Sequence, residues 1–279
     1  MAPTETVVVP WGAQFIVQTG EKIGLDLYLY GIFDKIVPEA IARLVDPGEW
    51  AVDVGANIGQ NSSLMAVKVG PTGAVWAFEP HPETFKELQQ NARQWSGLKL
   101  GKLQLENVAL GDHYGEAWLA NSVESKTTAD SISPGCSWER GSAAIAPGYD
   151  SSKPGFKVPL RRLDEYLSPP AEVGVCKIDV EGHELAVLSG AEGTLSRKAI
   201  RDIIFEDFNP QPSPVTQLLE RHGYHVFELA DSWVKPRLRP VKNAHGKAPD
   251  FSFNFLGTRD PSRAVRRFRA PGWFCLLNL

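Results

Sequence analysis

The segment Val52-Asp53-Val54-Gly55-Ala56-Asn57-Ile58-Gly59 decides how this chain is read. Trp50–Val54 is a short apolar run of buried-strand type, and Gln60–Val69 has the spacing of a helix. The segment is therefore a strand-to-helix turn. Glycines in such a turn let the backbone approach a ligand, and the helix start offers N–H groups with no partner in the helix. A dinucleotide loop would read G-x-G-x-x-G and wrap a pyrophosphate. Here the glycines fall at Gly55 and Gly59, with Asp53 before them and Asn57 between them. A carboxylate at the strand end repels a pyrophosphate and favours a cationic amino-acid ligand.

Outward from the loop the chain keeps a strand–helix rhythm. Ala74–Phe78 is a second apolar strand and ends at Glu79. An acidic residue there lies at the carboxyl edge of the sheet, where open α/β sheets bind ligands, and can accept hydrogen bonds from ribose hydroxyls. Residues 82–95 place Phe85, Leu88 and Ala92 on one helical face, and residues 103–108 form a third strand, with Asn107 at its end beside an adenine. This order predicts a parallel sheet with right-handed crossovers. Residues 121–154, rich in Ser, Gly, Ala and Pro, interrupt it. The rhythm resumes with a short helix at 163–167, a strand at Val173–Ile178, a helix at 184–197 and a strand at 202–206. A helix at 215–222 and closing strands at 225–229 and 250–256 bring the expected count to about seven strands. Residues 1–49, with a helix at 34–44 ending before Pro47-Gly48, are read as a preamble or cap. Residues 50–260 are read as the ligand-binding domain with its insertion, and residues 261–279 as a docked extension.

The fourth strand puts Asp179 on the same rim as Asp53 and Glu79, with Glu181 and His183 in the following turn. A methyl donor is one cationic amino-acid ligand such a loop would suit, and transfer from its sulfonium to an oxygen would need in-line positioning and a base for the hydroxyl proton. His183 titrates near neutrality, Asp179 is the alternative base or the group that orients one, and Glu181 is an alternative helix cap. Glu206 and Asp207 end the fifth strand on that rim, with Asn209 nearby. Asp179, Glu206, Asp207 and Asn209 are also oxygen ligands of the kind Mg²⁺ takes. The spacing does not decide between the two chemistries, and the expectation carried forward has no metal. His81 is expected in a loop near the ribose without binding a ligand, and Trp138 is a candidate wall of an acceptor pocket.

Taken together, several blocks resemble the FkbM-type S-adenosylmethionine-dependent methyltransferases. They are Val52–Val54 with Gly55-Ala56-Asn57-Ile58-Gly59 and Asn61, Phe78-Glu79-Pro80, Asn107-Val108-Ala109-Leu110-Gly111-Asp112, and Lys177-Ile178-Asp179-Val180-Glu181-Gly182-His183-Glu184. The last block is the most specific, and the resemblance runs from about residue 28 to residue 206. It implies a class I methyltransferase fold: a Rossmann-like α/β domain with a seven-stranded, mostly parallel sheet and helices on both faces. It also implies S-adenosylmethionine as donor and S-adenosylhomocysteine as product. Asp53, Gly55, Ala56, Asn57, Gly59, Asn61, Glu79, Pro80, Asn107 and Ala109 are the expected cofactor contacts, and Asp179, His183 and Glu206 the expected catalytic set. The implied acceptor is a hydroxyl on a natural product, a sugar or a lipid-linked small molecule. The insertion and the extension after Gly257 depart from the pattern and leave the acceptor open. Two other classes remain: a non-catalytic S-adenosylmethionine-binding protein on this fold, and an NAD-dependent oxidoreductase, which would need a third glycine where Gln60, Asn61 and Ser62 follow Gly59.

Composition fits an enzyme of this kind. The 279 residues carry 29 basic and 33 acidic side chains, a net charge of −4, which gives no sign of a nucleic-acid binder. There is no apolar run long enough to span a membrane and no basic stretch before an apolar one at the N-terminus. Cys136, Cys176 and Cys275 are far apart, as in a reducing compartment, so the expected location is cytoplasmic. The preamble and tail offer contact surfaces for a homodimer.

Overall fold

The computed structural model describes residues 3–120, 144–146, 155–241 and 253–277. The chain opens with an antiparallel hairpin, β1 (Thr4–Val8) and β2 (Gln14–Gln18), and two helices, α1 (Lys22–Tyr30) and α2 (Ile36–Leu44). The alternating unit follows: β3 (Trp50–Val54), α3 (Gln60–Val69), β4 (Ala74–Phe78), α4 (Pro82–Gln94) and β5 (Lys102–Glu106). A smaller sheet comprises β6 (Ala109–Leu110), β7 (Gly115–Ala120), β8 (Ala144–Ala146) and β9 (Gly155–Arg161), in the order β6-β9-β7-β8. The main sheet resumes after α5 (Leu163–Tyr166) with β10 (Val173–Ile178), α6 (Glu184–Ser189), α7 (Glu192–Ser196) and β11 (Ile200–Glu206). It closes with α8 (Pro214–Arg221), β12 (His225–Ala230), β13 (Arg237–Pro240) and β14 (Asn254–Thr258), and α9 (Pro261–Arg267) follows.

Among the described residues the main sheet has eight strands, in the order β13-β12-β14-β11-β10-β3-β4-β5. β11, β10, β3, β4 and β5 are mutually parallel, and β14 runs antiparallel between β11 and β12. Without β13, this is the strand order of a class I methyltransferase, so the expected fold is correct and the expected count is one short. The extra strand, Arg-Leu-Arg-Pro, pairs only with β12 and has one apolar residue, so periodicity does not reveal it. The chain leaves β3 toward β4 and β5, and returns on the other side as β10 and β11. β3 and β10 therefore flank the switch point where such sheets open a crevice.

Each face of the sheet carries its own apolar layer. One joins Leu64 and Met65 of α3, Leu88 of α4 and Ile41 and Leu44 of α2 to Phe15 and Val17 of the hairpin. The other joins Val187 and Leu188 of α6, Leu195 of α7 and Leu218 and Leu219 of α8. The preamble is thus part of the core. The Trp11 indole donates to Ser63 Oγ at 2.9 Å, and Asn91 accepts the Ile16 N–H at 2.8 Å while donating to the Ile58 carbonyl at 3.1 Å. α1 was not foreseen, and the helix expected from residue 34 begins at Ile36. The helix expected over 184–197 is two helices. A Cβ on Gly190, between them, would lie 1.9 Å from the Gly111 carbonyl oxygen, and Asp164 caps α7 by accepting the Gly193 and Thr194 N–H groups.

The C-terminal segment is anchored by a buried ion pair. Arg43 and Glu39 are both fully buried at 2.6 Å, and the Arg43 guanidinium also donates to the carbonyls of Arg267, Ala270 and Gly272. Glu39 accepts the Cys275 N–H, and Arg263 on α9 pairs with Asp202 and Asp46. Cys176 and Cys275 are buried free thiols. Cys136, Trp138 and nearly all of the 121–154 insertion lie outside the described residues. Among the described residues no helix is long and apolar enough to cross a membrane.

Candidate functional site

A cavity of about 280 Å³ opens at the carboxyl ends of β3, β4, β10 and β11. Its rear wall is the loop after β3. Gly55 leaves the strand at φ +75°, where an L side chain is strained, and a Cβ there would lie 1.9 Å from the Asp179 carbonyl oxygen. Gly55 therefore allows β3 and the end of β10 to touch backbone to backbone. Gly59, also at positive φ, serves packing instead. A Cβ on it would meet Leu88 Cδ1 at 2.6 Å and Trp95 Cη2 at 2.7 Å, and it is not in the cavity wall.

Glu79 is buried at the end of β4 and lines the cavity. Its Oε2 accepts the Asn57 N–H and its Oε1 the His81 N–H, each at 2.8 Å. Burial pushes its carboxyl up to about 7, against the lowering effect of those two N–H groups. Both oxygens keep acceptor capacity for hydroxyls. Asn107 does not line the cavity. Its amide donates to the Glu79 carbonyl at 2.8 Å and the Pro80 carbonyl at 3.0 Å, holding that turn in shape, while Val108, Ala109 and Leu110 form the wall. His81 caps α4, its Nδ1 accepting the Thr84 N–H.

Asp53 lies beneath the floor and not in it. It is fully buried, accepts the Ser62 hydroxyl at 2.5 Å and sits 3.3 Å from Lys177 Nζ, its register partner on β10. Lys177 does line the cavity. Its ammonium donates to the Gly55 carbonyl at 2.6 Å and the Val54 carbonyl at 3.3 Å, and lies 3.5 Å from Asp179 Oδ2. Burial alone would lower its pKa, but the Asp53 and Asp179 carboxylates outweigh burial and hold it above the ordinary range. Lys177 thus ties the glycine loop to the neighbouring strand.

Asp179, Glu181 and Glu206 also line the cavity, and the charges of Asp179 and Glu181 act on Glu206. Burial first, then the charges of Asp179, Glu181, Glu184 and Asp34, push the Glu206 carboxyl up to about 8. His183 is not brought to the cavity. Its Nε2 is buried without a hydrogen-bond partner among the described residues, 3.3 Å from where a Cβ on Gly111 would sit, and burial lowers its pKa. Asp207 is bonded to Asn209, Gln211 and Ser213, so it organises its own loop. Among the described residues no three His, Cys, Asp or Glu side chains are grouped to hold a metal ion.

The sequence reading missed the front wall. Lys22, Ile23 and Phe33 come from the preamble, and Phe208 follows β11. Gln60 on α3 fixes Phe33 by accepting its N–H at 2.7 Å and donating to its carbonyl at 2.9 Å. Near-complete burial of a glutamine in the first turn of a helix is a signal visible only after folding. Asn61 Oδ1, also in the cavity wall, is buried with no hydrogen-bond partner among the described residues.

A family profile described as the methyltransferase FkbM domain matches residues 53–226. The chain is 28% identical over 222 residues to hexuronic acid methyltransferase AglP of Haloferax volcanii, covering 78% of this chain and 80% of that one. It is 28% identical over 204 residues to methyltransferase 1 of Beauveria bassiana, covering 67% and 77%. Among solved structures, the SAM-dependent O-methyltransferase of Thermotoga maritima aligns at a TM-score of 0.45 and 14% identity, over 92% of this chain and 78% of that one. With well over half of its length matched by that profile, the chain belongs to the FkbM methyltransferase family.

Proposed function

We propose that the protein transfers a methyl group from S-adenosylmethionine to an oxygen atom of a small acceptor, a sugar hydroxyl in the first instance. The observation that carries this reading is the charge of the cavity. Glu21, Asp179 and Glu181 line it with Lys22 and Lys177, Lys177 is already engaged by Asp53 and Asp179, and Glu79 and Glu206, held up to about 7 and about 8, add negative charge as pH rises through that range. A cavity of that balance suits a cationic ligand bearing hydroxyls and repels a pyrophosphate.

The residues present fit the donor. Asn61 Oδ1 is a buried acceptor with no partner among the described residues, Glu79 has acceptor capacity for ribose hydroxyls, and Gly55, Ala56 and Asn57 line the cavity. Pro80, Val108, Ala109 and Leu110 supply the apolar wall for the base. When bound, S-adenosylmethionine supplies an electrophilic methyl group on a sulfonium. Asp179 holds the cationic end of the ligand, Lys177 keeps the loop and Asp179 in register, and Phe33 with Gln60 closes the front. Glu206 accepts the acceptor's hydroxyl proton; its raised pKa suits a base that works near neutrality. A sugar acceptor is favoured because one relative is named a hexuronic acid methyltransferase.

The test is transfer of radiolabelled methyl from S-adenosylmethionine to simple glycosides, uronates and lipid-linked sugars. Labelled O-methyl product and S-adenosylhomocysteine are expected, with Glu206→Gln slowing turnover more than it weakens donor binding and Asp179→Asn weakening donor binding itself. Wild-type turnover in Glu206→Gln would remove it as the base.

A further inference from the structure

An open groove adjoins the cavity. It is lined by Asp34, Asp231, Trp233, Arg237, Arg239 and Phe253. The two openings meet on an aromatic pair, because Phe208 of the cavity wall lies against Phe253 of the groove with ring centroids 4.8 Å apart. Asn254 Nδ2 donates to Asp34 Oδ2 at 3.3 Å, which fixes this junction. Asp34 is also close enough for its charge to act on Glu206.

The lining chemistry is specific. Phe208 and Phe253 are about half exposed and the Trp233 indole is fully exposed at 101%, so part-exposed aromatic rings run from the cavity to the groove. Aromatic faces of this kind pack against the apolar C–H faces of sugar rings. Arg237 and Arg239, two apart on β13, share one side of the strand. Arg237 stands opposite Ala230 and Arg239 opposite Glu228 in the ladder, and among the described residues neither guanidinium is held in an ion pair. Lys35, the groove's other cation, is already paired with Asp231 at 3.1 Å. Charge on an edge strand also discourages edge-to-edge pairing, but that role does not require two arginines facing the groove that continues the cavity.

We infer that this groove receives the remainder of the acceptor: an acidic carbohydrate whose anionic group sits on Arg237 and Arg239, whose ring lies on Trp233 and Phe253, and whose reacting hydroxyl enters the cavity beside Glu206. Guanidinium binds carboxylate and phosphate alike, so a uronate and a sugar phosphate share the required chemistry. The hydroxyl's fate rests on the proposed methyl transfer; binding of the acidic sugar in the groove does not.

The experiment is calorimetric titration of the whole protein with methyl β-glucuronide, glucose 6-phosphate and neutral methyl β-glucoside, each without donor. At least one acidic sugar is expected to bind more tightly than the neutral one and to quench tryptophan fluorescence, with the tighter of the two identifying carboxylate or phosphate. R237A/R239A should weaken that binding roughly ten-fold, the effect of losing two part-exposed charge contacts, and leave S-adenosylhomocysteine affinity unchanged. Trp233→Ala should abolish the quench. Equal binding of the neutral sugar, no binding of either acidic sugar, or undiminished binding by R237A/R239A overturns the inference. Loss of S-adenosylhomocysteine binding by the wild-type protein would instead count against the methyl-donor reading.

Discussion

Replacing Gly55 by alanine tests the geometry of the donor loop directly. Gly55 sits at φ +75°, and the left-handed region costs a residue with a Cβ about 1–2 kcal/mol. The new methyl would stand 1.9 Å from the Asp179 carbonyl oxygen, so β3 and the end of β10 must part by about 1 Å before the contact reaches the closest approach real Cβ atoms make. That movement strains the Asp179 N–H to Val54 carbonyl bond at 3.1 Å and the Lys177 bond to the Gly55 carbonyl at 2.6 Å, each worth about 1 kcal/mol or more. The expected loss is about 3–5 kcal/mol, or roughly 10 °C in Tm for a chain of this size. Scanning calorimetry with and without S-adenosylhomocysteine reads both effects, and the ligand-induced rise in Tm should shrink or vanish. Gly59→Ala provides the contrast, because its methyl collides with Leu88 and Trp95 outside the cavity: Tm should fall while the ligand-induced rise persists. A Gly55→Ala protein melting within 2 °C of wild type, with its ligand response intact, would refute the reasoning.

Glu206 carries a pH signature. Its pKa is raised to about 8 from an ordinary 4.5, so the folded state holds the proton more tightly and the site disfavours folding increasingly as pH rises from about 4.5 to 8. Glu206→Gln should therefore match wild type in Tm near pH 4 and exceed it by about 3 °C above pH 8, an effect of about 1 kcal/mol after discounting for solvent screening. Wild-type kcat/KM is expected to rise with pH toward about 8, and Glu206→Gln should lose that rise. Arg43→Ala would leave Glu39 buried and uncompensated, costing about 3–5 kcal/mol in urea denaturation, and should expose Phe268 and Phe274 to chymotrypsin. Arg43→Met with Glu39→Leu should recover much of that loss.

The parts of this fold that were legible in the sequence are those governed by local pattern. β3, α3, β4 and β10 fall at their expected residues because buried parallel strands are continuous apolar runs and the helix between them is amphipathic. β13 was hidden because an edge strand needs no apolar face, and α1 because Ile23, Leu25, Leu27 and Leu29 alternate with a period of two, unlike a helix. In the site, Glu79, Asp179 and Glu206 reach the cavity as a strand-end argument requires. Asp53 and His183 do not, for a reason no linear motif encodes: register places Asp53 against Lys177 under the floor, and the turn after β10 sends His183 toward Gly111. The front wall was invisible because Phe33 and Gln60 meet only through tertiary docking of the preamble.

The central claim is that the acidic cavity at the ends of β3, β4 and β10 is the methyl-donor site, and calorimetric titration at pH 8 tests it most directly. Wild-type protein should bind S-adenosylhomocysteine at one site per chain and give no heat with NAD. Glu79→Gln keeps the shape of the side chain but removes its charge, and should weaken binding at least about ten-fold. Binding of NAD without S-adenosylhomocysteine, or full-affinity binding by Glu79→Gln, would contradict the account.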